Sequence, residues 1–343
     1  MSTPRPDFLA ALAGRNDGPP PLWMMRQAGR TLASYRKLRE GTDFLTFCKT
    51  PELAAEATLL PVRELGVDAA ILFADILLPA EALGLELHFE EGVGPVTSPP
   101  VRSAADAAQL QRRDVAETCD YLAGVIRRVR AGLPEGVPLI GFAPSPWTLA
   151  AYLVEGRARK GFPALKTFTY ADPAGFAAFL DLLTDTLCAY GQLQVEAGVQ
   201  AFQIFDTWAE LLPPPLFYEL VLPRVQRLAD AIDVPVIYFA KGTAAFFEQL
   251  CPLRVAALGC DWTIDIAEAR QRCSGKALQG NLDPTVLYAP AEAIQRETWA
   301  MLDKMQGDRA YVVNLGHGLA PDIPESHVHA FVEAVRSWTP DHE

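Results

Sequence analysis

The sequence has few of the features that mark metal-binding or membrane proteins. Its 6 cysteines and 5 histidines include no Cys-x-x-Cys or His-x-Cys pair, which argues against a zinc site or a disulfide framework. No apolar run approaches the roughly 18 residues that span a membrane, and the first residues have no apolar signal core. We therefore expect reduced thiols, no metal, no membrane association and a cytoplasmic protein.

An excess of positive charge is also missing. The chain has 30 basic against 42 acidic residues, a formal net charge of -12. Nucleic acids and anionic membranes bind basic surfaces, so neither is an expected partner. An anionic small molecule would have to bind at a local cluster of basic residues.

Apolar residues are plentiful, at 50% of the 343 positions. Short, near-continuous apolar runs recur between helix-like segments, which is typical of parallel strands covered on both faces. The runs cover residues 22–25, 69–73, 138–142, 201–205, 235–239, 255–258, 277–278 and 310–315. Helices are predicted over residues 51–65, 176–190, 217–232 and 328–338. This alternation predicts an α/β fold, a single-domain (β/α)₈ TIM barrel with its site at the C-terminal ends of the strands.

Three segments exceed the basic barrel pattern. Alternating residues within 85–100 predict a hairpin inserted in the second βα loop. Residues 156–172 predict a basic loop after the third strand, and residues 1–18, rich in Pro and Gly, predict a flexible N-terminal arm. No linker divides residues 19–343, so we expect one domain there.

Two arginines stand at the end of the first apolar run. Arg26 and Arg30 are four residues apart, with Gly29 between them. The planar guanidinium group fits carboxylates, so the pair is interpreted as a clamp for an anionic ligand. The alternative is a pair of ordinary surface arginines.

Other polar residues follow the later strands: Asp75, Tyr152, Asp206, Thr207, Lys241, Asp261, Asn281, Asp283 and His317. Each has a plain structural explanation when taken alone. Asp75 and Thr207 are possible helix caps, Tyr152 a possible core residue and His317 a possible turn residue. Because the C-terminal ends of barrel strands meet at one mouth, we interpret the group as a site.

Longer motifs carry a family resemblance. They are WMMRQAGR at 23–30 followed by Tyr35-Arg36, FADIL at 73–77, GF at 141–142 with PWTL at 146–149 and YLVEG at 152–156, IFDTW at 204–208, LGCDW at 258–262, QGNLDP at 279–284 and NLGHG at 314–318. Over residues 20–335 the chain resembles the uroporphyrinogen decarboxylase family. It departs from the family pattern at residues 33–34, at Pro144 where a glycine is usual, and at Ala209-Glu210 where a glycine pair is usual.

The resemblance implies an enzyme, a carboxy-lyase of haem and porphyrin biosynthesis. It would convert the four acetates of uroporphyrinogen III to methyl groups, giving coproporphyrinogen III and four CO₂. The family uses no metal or organic cofactor, because the pyrrole ring itself accepts the electrons. The family is usually a homodimer with the two mouths facing one another.

The resemblance also implies residue roles. Asp75 and Arg26 would be catalytic, with Asp75 holding the pyrrole N–H groups and stabilising the ring cation. The substrate's acid groups would contact Arg26, Gln27, Ala28, Gly29 and Arg30, with Tyr152, Thr207 and His317 orienting others and Arg39 a possible propionate partner. The proton donor stays open between Arg26 and His317, of which the imidazole has the more suitable ordinary pKa.

Two alternatives remain. A corrinoid- or thiol-dependent methyltransferase of the same fold would activate a thiol with zinc, and the His-x-Cys pair for that is missing. A non-catalytic tetrapyrrole carrier would keep the basic residues and lose Asp75. Asp75 is present, which favours the enzyme.

Overall fold

The computed structural model describes residues 6–90 and 94–340. The strands are β1 (Ala70–Ile71), β2 (Glu86–Glu90), β3 (Gly94–Ser98), β4 (Leu139–Pro144), β5 (Ala201–Asp206), β6 (Val236–Ala240), β7 (Ala257–Gly259), β8 (Ala277–Leu282) and β9 (Tyr311–Leu315). Seven of them form one parallel sheet in the order β1-β4-β5-β6-β7-β8-β9. All residues of β4, β6, β8 and β9 are buried, as predicted for strands covered on both faces.

The helices lie between and around these strands. They are α1 (Phe8–Leu12), α2 (Ala33–Leu38), α3 (Phe44–Lys49), α4 (Pro51–Glu64), α5 (Ala104–Ala107), α6 (Val115–Thr118), α7 (Asp120–Gly132), α8 (Pro146–Glu155), α9 (Pro163–Ala171), α10 (Pro173–Ala197), α11 (Pro214–Leu216), α12 (Leu222–Asp230), α13 (Ile266–Arg272), α14 (Ala291–Asp303) and α15 (Glu325–Ser337). Short 3₁₀ segments cover Leu78–Leu83, Ala209–Leu211, Ala244–Leu250 and Pro284–Tyr288, and a π-helical turn covers Phe217–Val221. The four predicted helices are confirmed within α4, α10, the π-turn with α12, and α15.

The first predicted strand closes the barrel as a bridge. Leu22 pairs in parallel with Val313 of β9, and its carbonyl accepts a hydrogen bond from the N–H of Asp68, just before β1, at 2.7 Å. The segment thus joins both edges of the seven-stranded sheet. It takes the place of the one remaining strand of the predicted (β/α)₈ barrel. It is shorter than predicted, because the chain turns at residues 24–27 instead of extending to residue 25.

A polar chain crosses the barrel interior. The indole N–H of Trp23 donates to Gln279 Oε1 at 2.9 Å, and Gln279 Nε2 donates to Gln203 Oε1 at 3.1 Å. All three side chains are fully buried. Because buried polar groups need partners, this chain ties the closing segment to β8 and β5.

The inserted segments differ in part from expectation. The hairpin over residues 85–100 is confirmed as β2 paired antiparallel with β3, and residues 91–93 between them lie outside the described residues. The loop predicted over residues 156–172 contains helix α9, whose Leu165 and Phe168 are buried and supply its packing. Within the arm predicted over 1–18, α1 is packed and not detached, because Phe8, Ala11 and Leu12 are buried near β9.

The thiols are partly as expected. Cys48, Cys119, Cys188 and Cys260 are free. Cys251 and Cys273 form a disulfide with a Cα–Cα distance of 5.7 Å, so the prediction of six reduced thiols is wrong for this pair. Sequence spacing gave no signal, because the pair forms where the ends of two separate helical segments meet. Among the described residues, no helix is long and apolar enough to cross a membrane.

Candidate active site

The loop that carries Arg26 is held from both sides. Gln27 Oε1 accepts from the Met24 N–H at 3.0 Å, and Gln27 Nε2 donates to the Ala69 carbonyl at 3.1 Å. The Met25 N–H donates to Asn314 Oδ1 at 3.1 Å. The Gln27 side chain is fully buried. Through these two hydrogen bonds the side chain fixes the loop, and the predicted contact of Gln27 with the substrate stays a prediction.

Arg26 itself is presented by an unusual backbone. Its φ of 62° lies in the left-handed region, which non-glycine residues rarely adopt. Room for its side chain comes from Gly318, where a Cβ atom would lie 2.5 Å from Arg26 Cδ. Within residues 6–90 and 94–340, Arg26 and Arg30 form no ion pair. The exposed Arg26 cation is therefore free to meet an anion.

The two residues after Gln27 add backbone donors. Ala28 and Gly29 are half-buried at the turn between the arginines. In the described part of the chain, no hydrogen bond reaches either of their N–H groups. Unpaired N–H groups beside guanidinium groups attract carboxylates.

Asp75 follows β1 and lies close enough to Arg26 for the guanidinium charge to act on its carboxyl group. Its Oδ1 accepts from the Leu77 N–H at 2.8 Å. Burial raises the pKa of Asp75 to about 6, against the lowering effects of that hydrogen bond and of the Arg26 charge. The 3₁₀ segment after it, Leu78–Leu83, has Leu77 at its N-cap position and no side-chain cap, so Asp75 makes a local turn and is not a helix cap. Oδ2 has no hydrogen-bond partner in the described ranges.

Tyr152 stands on α8, the helix after β4, which is the neighbour of β1 in the sheet. Ser145 starts this helix by accepting from the Thr148 N–H at 2.9 Å. The Tyr152 ring packs edge-on against Trp208, at a centroid distance of 6.2 Å, and Phe162, at 6.5 Å. Burial raises the pKa of Tyr152, and the nearby charge of Asp75 raises it further. The hydroxyl therefore keeps its proton and is a neutral donor.

Thr207 comes directly after β5 and is half-buried. The turn that follows, Ala209–Leu211, has Trp208 and not Thr207 at its N-cap position, and no side chain caps it, so the cap interpretation of Thr207 is wrong. The indole N–H of Trp147 donates to the Trp208 carbonyl at 2.8 Å. This bond holds the strand end beside Tyr152.

A buried carboxylate that the sequence analysis left without a role supports Thr207. Asp206 is fully buried and accepts hydrogen bonds from Thr148 Oγ1 and from the Tyr238 hydroxyl, each at 2.8 Å. Burial raises its pKa to about 6, and the hydroxyls of Ser145, Thr148 and Tyr238 oppose that rise. Asp206, at the end of β5, thus ties this strand to helix α8 and to β6 behind the mouth. Only the fold brings these partners together, so no local pattern predicts them.

His317 follows β9 and packs against Phe239, with ring centroids 6.1 Å apart. Burial lowers the pKa of His317 to about 4, and the charges of Arg26 and Lys241 lower it further, against a raising effect of Asp261. The imidazole is therefore neutral at pH 7. It suits hydrogen bonding and, without a proton, does not suit the general acid role that its ordinary pKa had suggested.

Arg30 and Arg39 belong to a second group, around Tyr35 of α2. Burial raises the pKa of Tyr35, and the charges of Arg39 and Arg30 oppose it. The Arg39 guanidinium lies 5.1 Å from the centroid of the Phe44 ring. Arg36 holds the intervening turn by donating to the Arg30 carbonyl at 2.6 Å. The structure therefore brings Arg26, Asp75, Tyr152 and His317 together and places Arg30 and Arg39 around Tyr35.

Lys241 follows β6 and is already paired. Its Nζ lies 2.6 Å from Glu210 Oε1 and 5.8 Å from the centroid of the Trp208 ring. Gly242 makes this arrangement possible, because a Cβ atom there would lie 2.5 Å from Glu210 Cβ. The Gly242 N–H donates to Asp261 Oδ2 at 2.5 Å. The sequence analysis placed Lys241 at a strand end but gave it no role.

Metal ligands are not grouped in the structure as described. In residues 6–90 and 94–340, no set of three or more His, Cys, Asp or Glu side chains is arranged to hold a metal ion. The buried acids of the mouth, Asp206 and Asp261, accept from hydroxyl and backbone donors instead.

Comparison with known proteins gives one consistent result. The family model "Uroporphyrinogen decarboxylase (URO-D)" matches residues 3–338. The chain is 43% identical over 342 residues to a uroporphyrinogen decarboxylase of Hydrogenovibrio crunogenus, covering 97% of each chain. It is 44% identical over 331 residues to one of Citrifermentans bemidjiense, covering 96% of this chain and 97% of the relative. A methyltransferase structure from Methanosarcina mazei matches with a TM-score of 0.77 and 21% identity over 96% of both chains, a likeness of fold.

Proposed function

Because the chain belongs to the uroporphyrinogen decarboxylase family, we propose that its barrel mouth converts uroporphyrinogen III to coproporphyrinogen III. The chain is a lyase that acts by decarboxylation in porphyrin biosynthesis. The proposal concerns the site: the catalytic residues are Asp75 and Arg26, and no cofactor takes part.

The observation that carries this proposal is the carboxylate of Asp75. One of its oxygens accepts a single backbone hydrogen bond, whereas an ionised carboxylate offers about four lone-pair sites. The remaining capacity suits the N–H groups of a porphyrinogen. Because its pKa is about 6, Asp75 is mostly ionised at pH 7. A fixed negative charge there stabilises a cationic ring more than a neutral one, which lowers the barrier.

The reaction needs a proton, an electron sink and a carboxylate held in place. Protonation of the pyrrole carbon beside an acetate gives a cationic ring. The bond to the carboxyl carbon then breaks, CO₂ leaves, and the electron pair enters the ring. A second proton on the exocyclic carbon gives the methyl group, and loss of the ring proton restores the pyrrole.

The positive end of the mouth holds the reacting acetate. Arg26 is exposed, and among the described residues it has no ion-pair partner and the N–H groups of Ala28 and Gly29 donate to no internal partner. We propose that these groups orient the acetate, and that Arg30 and Arg39 receive other acid side chains. Gln27 positions their loop from within.

Neutral donors complete the site. Tyr152 keeps its proton because its pKa is raised, and we propose that it orients a substrate carboxylate together with Thr207 and His317. Because the pKa of His317 is about 4, this imidazole has no extra proton to donate at pH 7. We therefore propose that the proton reaches the reacting carbon from the side of the mouth where Arg26 lies.

Turnover in the presence of a chelator tests the proposed function. Purified protein with EDTA is expected to convert uroporphyrinogen III to coproporphyrinogen III at the rate seen without EDTA. The reason is that the proposed mechanism uses charged groups and hydroxyls, and the described residues include no cluster of metal ligands. The measurement is product formation by chromatography after oxidation to porphyrins. Activity that is lost with EDTA and restored by zinc would favour the methyltransferase-like chemistry, and binding without turnover would favour the carrier.

The cellular setting follows from the same family membership. We propose a cytoplasmic enzyme whose partner is its small-molecule substrate and which forms a homodimer with the two mouths facing one another. Nucleic acid is not a partner on charge grounds, at a formal net charge of -12.

A further inference from the structure

The barrel places a cation on the far side of the mouth from Arg26. If the segment at Leu22 that closes the barrel is counted as the first strand, the order continues through β1, β4, β5 and β6. Lys241 follows β6, the fifth of the eight strands. In a closed ring of eight strands the fifth lies opposite the first, so Lys241 lies opposite the loop of Arg26. Both cations lower the pKa of the intervening His317, which places both at the same opening.

We infer that Lys241 binds a carboxylate side chain of the tetrapyrrole on the side opposite Arg26, and that Glu210 holds this lysine until the substrate displaces it. The inference rests on the proposed function and extends it. A ring with acid groups on all of its pyrroles presents carboxylates in every direction. Cations on one side alone would leave the opposite carboxylates without a charged partner.

The surroundings of Lys241 fit such a role. Its Nζ lies on the face of Trp208, the residue that packs against Tyr152. Its side chain is 21% exposed, so a ligand in the mouth can reach it. The backbone beside it is fixed, because the Gly242 N–H donates to the buried carboxylate of Asp261. The lysine therefore projects from a rigid strand end.

Glu210 makes the site of this chain distinctive. Its side chain is 37% exposed, and ion pairs with that much solvent contact are weak. A multivalent anion already held by Arg26 competes well for the lysine, because its second carboxylate binds at a high effective concentration. Glu210 then moves into solvent at the rim. The pair thus lowers substrate affinity and favours ligands with carboxylates on both sides.

A double-mutant cycle measures this coupling. Lys241→Gln is expected to raise KM for uroporphyrinogen III about tenfold, the usual effect of losing one charge-assisted hydrogen bond, with kcat within about twofold of wild type. Glu210→Gln frees the lysine and is expected to lower KM by about threefold. In Lys241→Gln protein, Glu210→Gln should have no further effect on KM, and Lys241→Arg should restore most of the binding.

The opposite end of the barrel supplies a matched control. Arg254, just before β7, pairs with Asp230, so Arg254→Gln and Asp230→Asn make the same charge changes away from the mouth. Both should leave KM unchanged. Unchanged KM in Lys241→Gln, or an effect of Glu210→Gln that persists without the lysine, would overturn the inference while wild-type turnover still supported the proposed function. Wild-type protein without turnover would overturn both.

Discussion

Asp75→Asn is expected to lower kcat by at least 10²- to 10³-fold, the usual effect of removing one preorganised stabilising charge. The amide has nearly the size of the carboxylate and can still accept the Leu77 N–H bond. What it lacks is the negative charge that balances the protonated pyrrole. The loss should therefore fall on kcat more than on KM.

Stability of the same variant separates catalysis from a structural role. Since burial raises the pKa of Asp75 from 3.8 to about 6, the folded state binds this proton more tightly than the unfolded chain. The charged group therefore opposes folding once the pH rises above 3.8, with its full effect above about 6. At pH 8, Asp75→Asn should leave Tm unchanged or raise it. A cap would give the opposite result, a loss of about 1 kcal/mol with turnover intact.

Two further variants act as controls. Asp75→Glu keeps the charge and displaces it by about 1 Å, which should lower kcat on the order of 10²-fold. Asp114→Ala removes a true helix cap, whose Oδ1 accepts from the Ala116 N–H at 2.7 Å. It should lower stability and leave kcat unchanged. An Asp75→Asn protein that is destabilised but fully active would remove Asp75 from the mechanism.

Arg26→Lys is expected to lower kcat/KM on the order of 10²-fold, and Arg30→Lys about tenfold with most of the change in KM. Lysine keeps the charge but loses the planar fork that binds a carboxylate through two hydrogen bonds. Arg26 should show the larger effect because it is the arginine that influences Asp75 directly. Steady-state kinetics on uroporphyrinogen III measures both.

Arg63→Lys tests the alternative of ordinary surface arginines. Arg63 on α4 pairs with Glu56 at 2.6 Å and is about half exposed, so its replacement should leave kcat and KM unchanged. If Arg26→Lys and Arg30→Lys behave like Arg63→Lys, the two arginines do not bind substrate.

Much of the fold was predictable because its strands are buried on both faces. The runs at 138–142, 201–205 and 310–315 became β4, β5 and β9 with small shifts. The run at 277–278 became the six-residue strand β8, because the polar Gln279 is satisfied inside the barrel by Trp23 and Gln203. Helix α9 was missed because only tertiary burial of its apolar side explains it.

The site was predictable where residues follow strands, and less so where partners come from distant elements. Arg26, Asp75 and His317 were predicted from their places at strand ends, and the structure places them near one another, while their roles stay predictions. The structure adds that the His317 pKa is about 4, which depends on burial that the sequence does not display. It also shows that the Gln27 side chain forms hydrogen bonds with the backbone of Met24 and of Ala69.

A crystal structure with coproporphyrinogen III bound tests the central claim most directly. The account predicts the product in the barrel mouth, with its pyrrole nitrogens about 3 Å from the Asp75 carboxylate oxygens. Its carboxylates should contact Arg26 on one side and Lys241, released from Glu210, on the other. A product bound outside the mouth, or a ring whose nitrogens face away from Asp75, would contradict it.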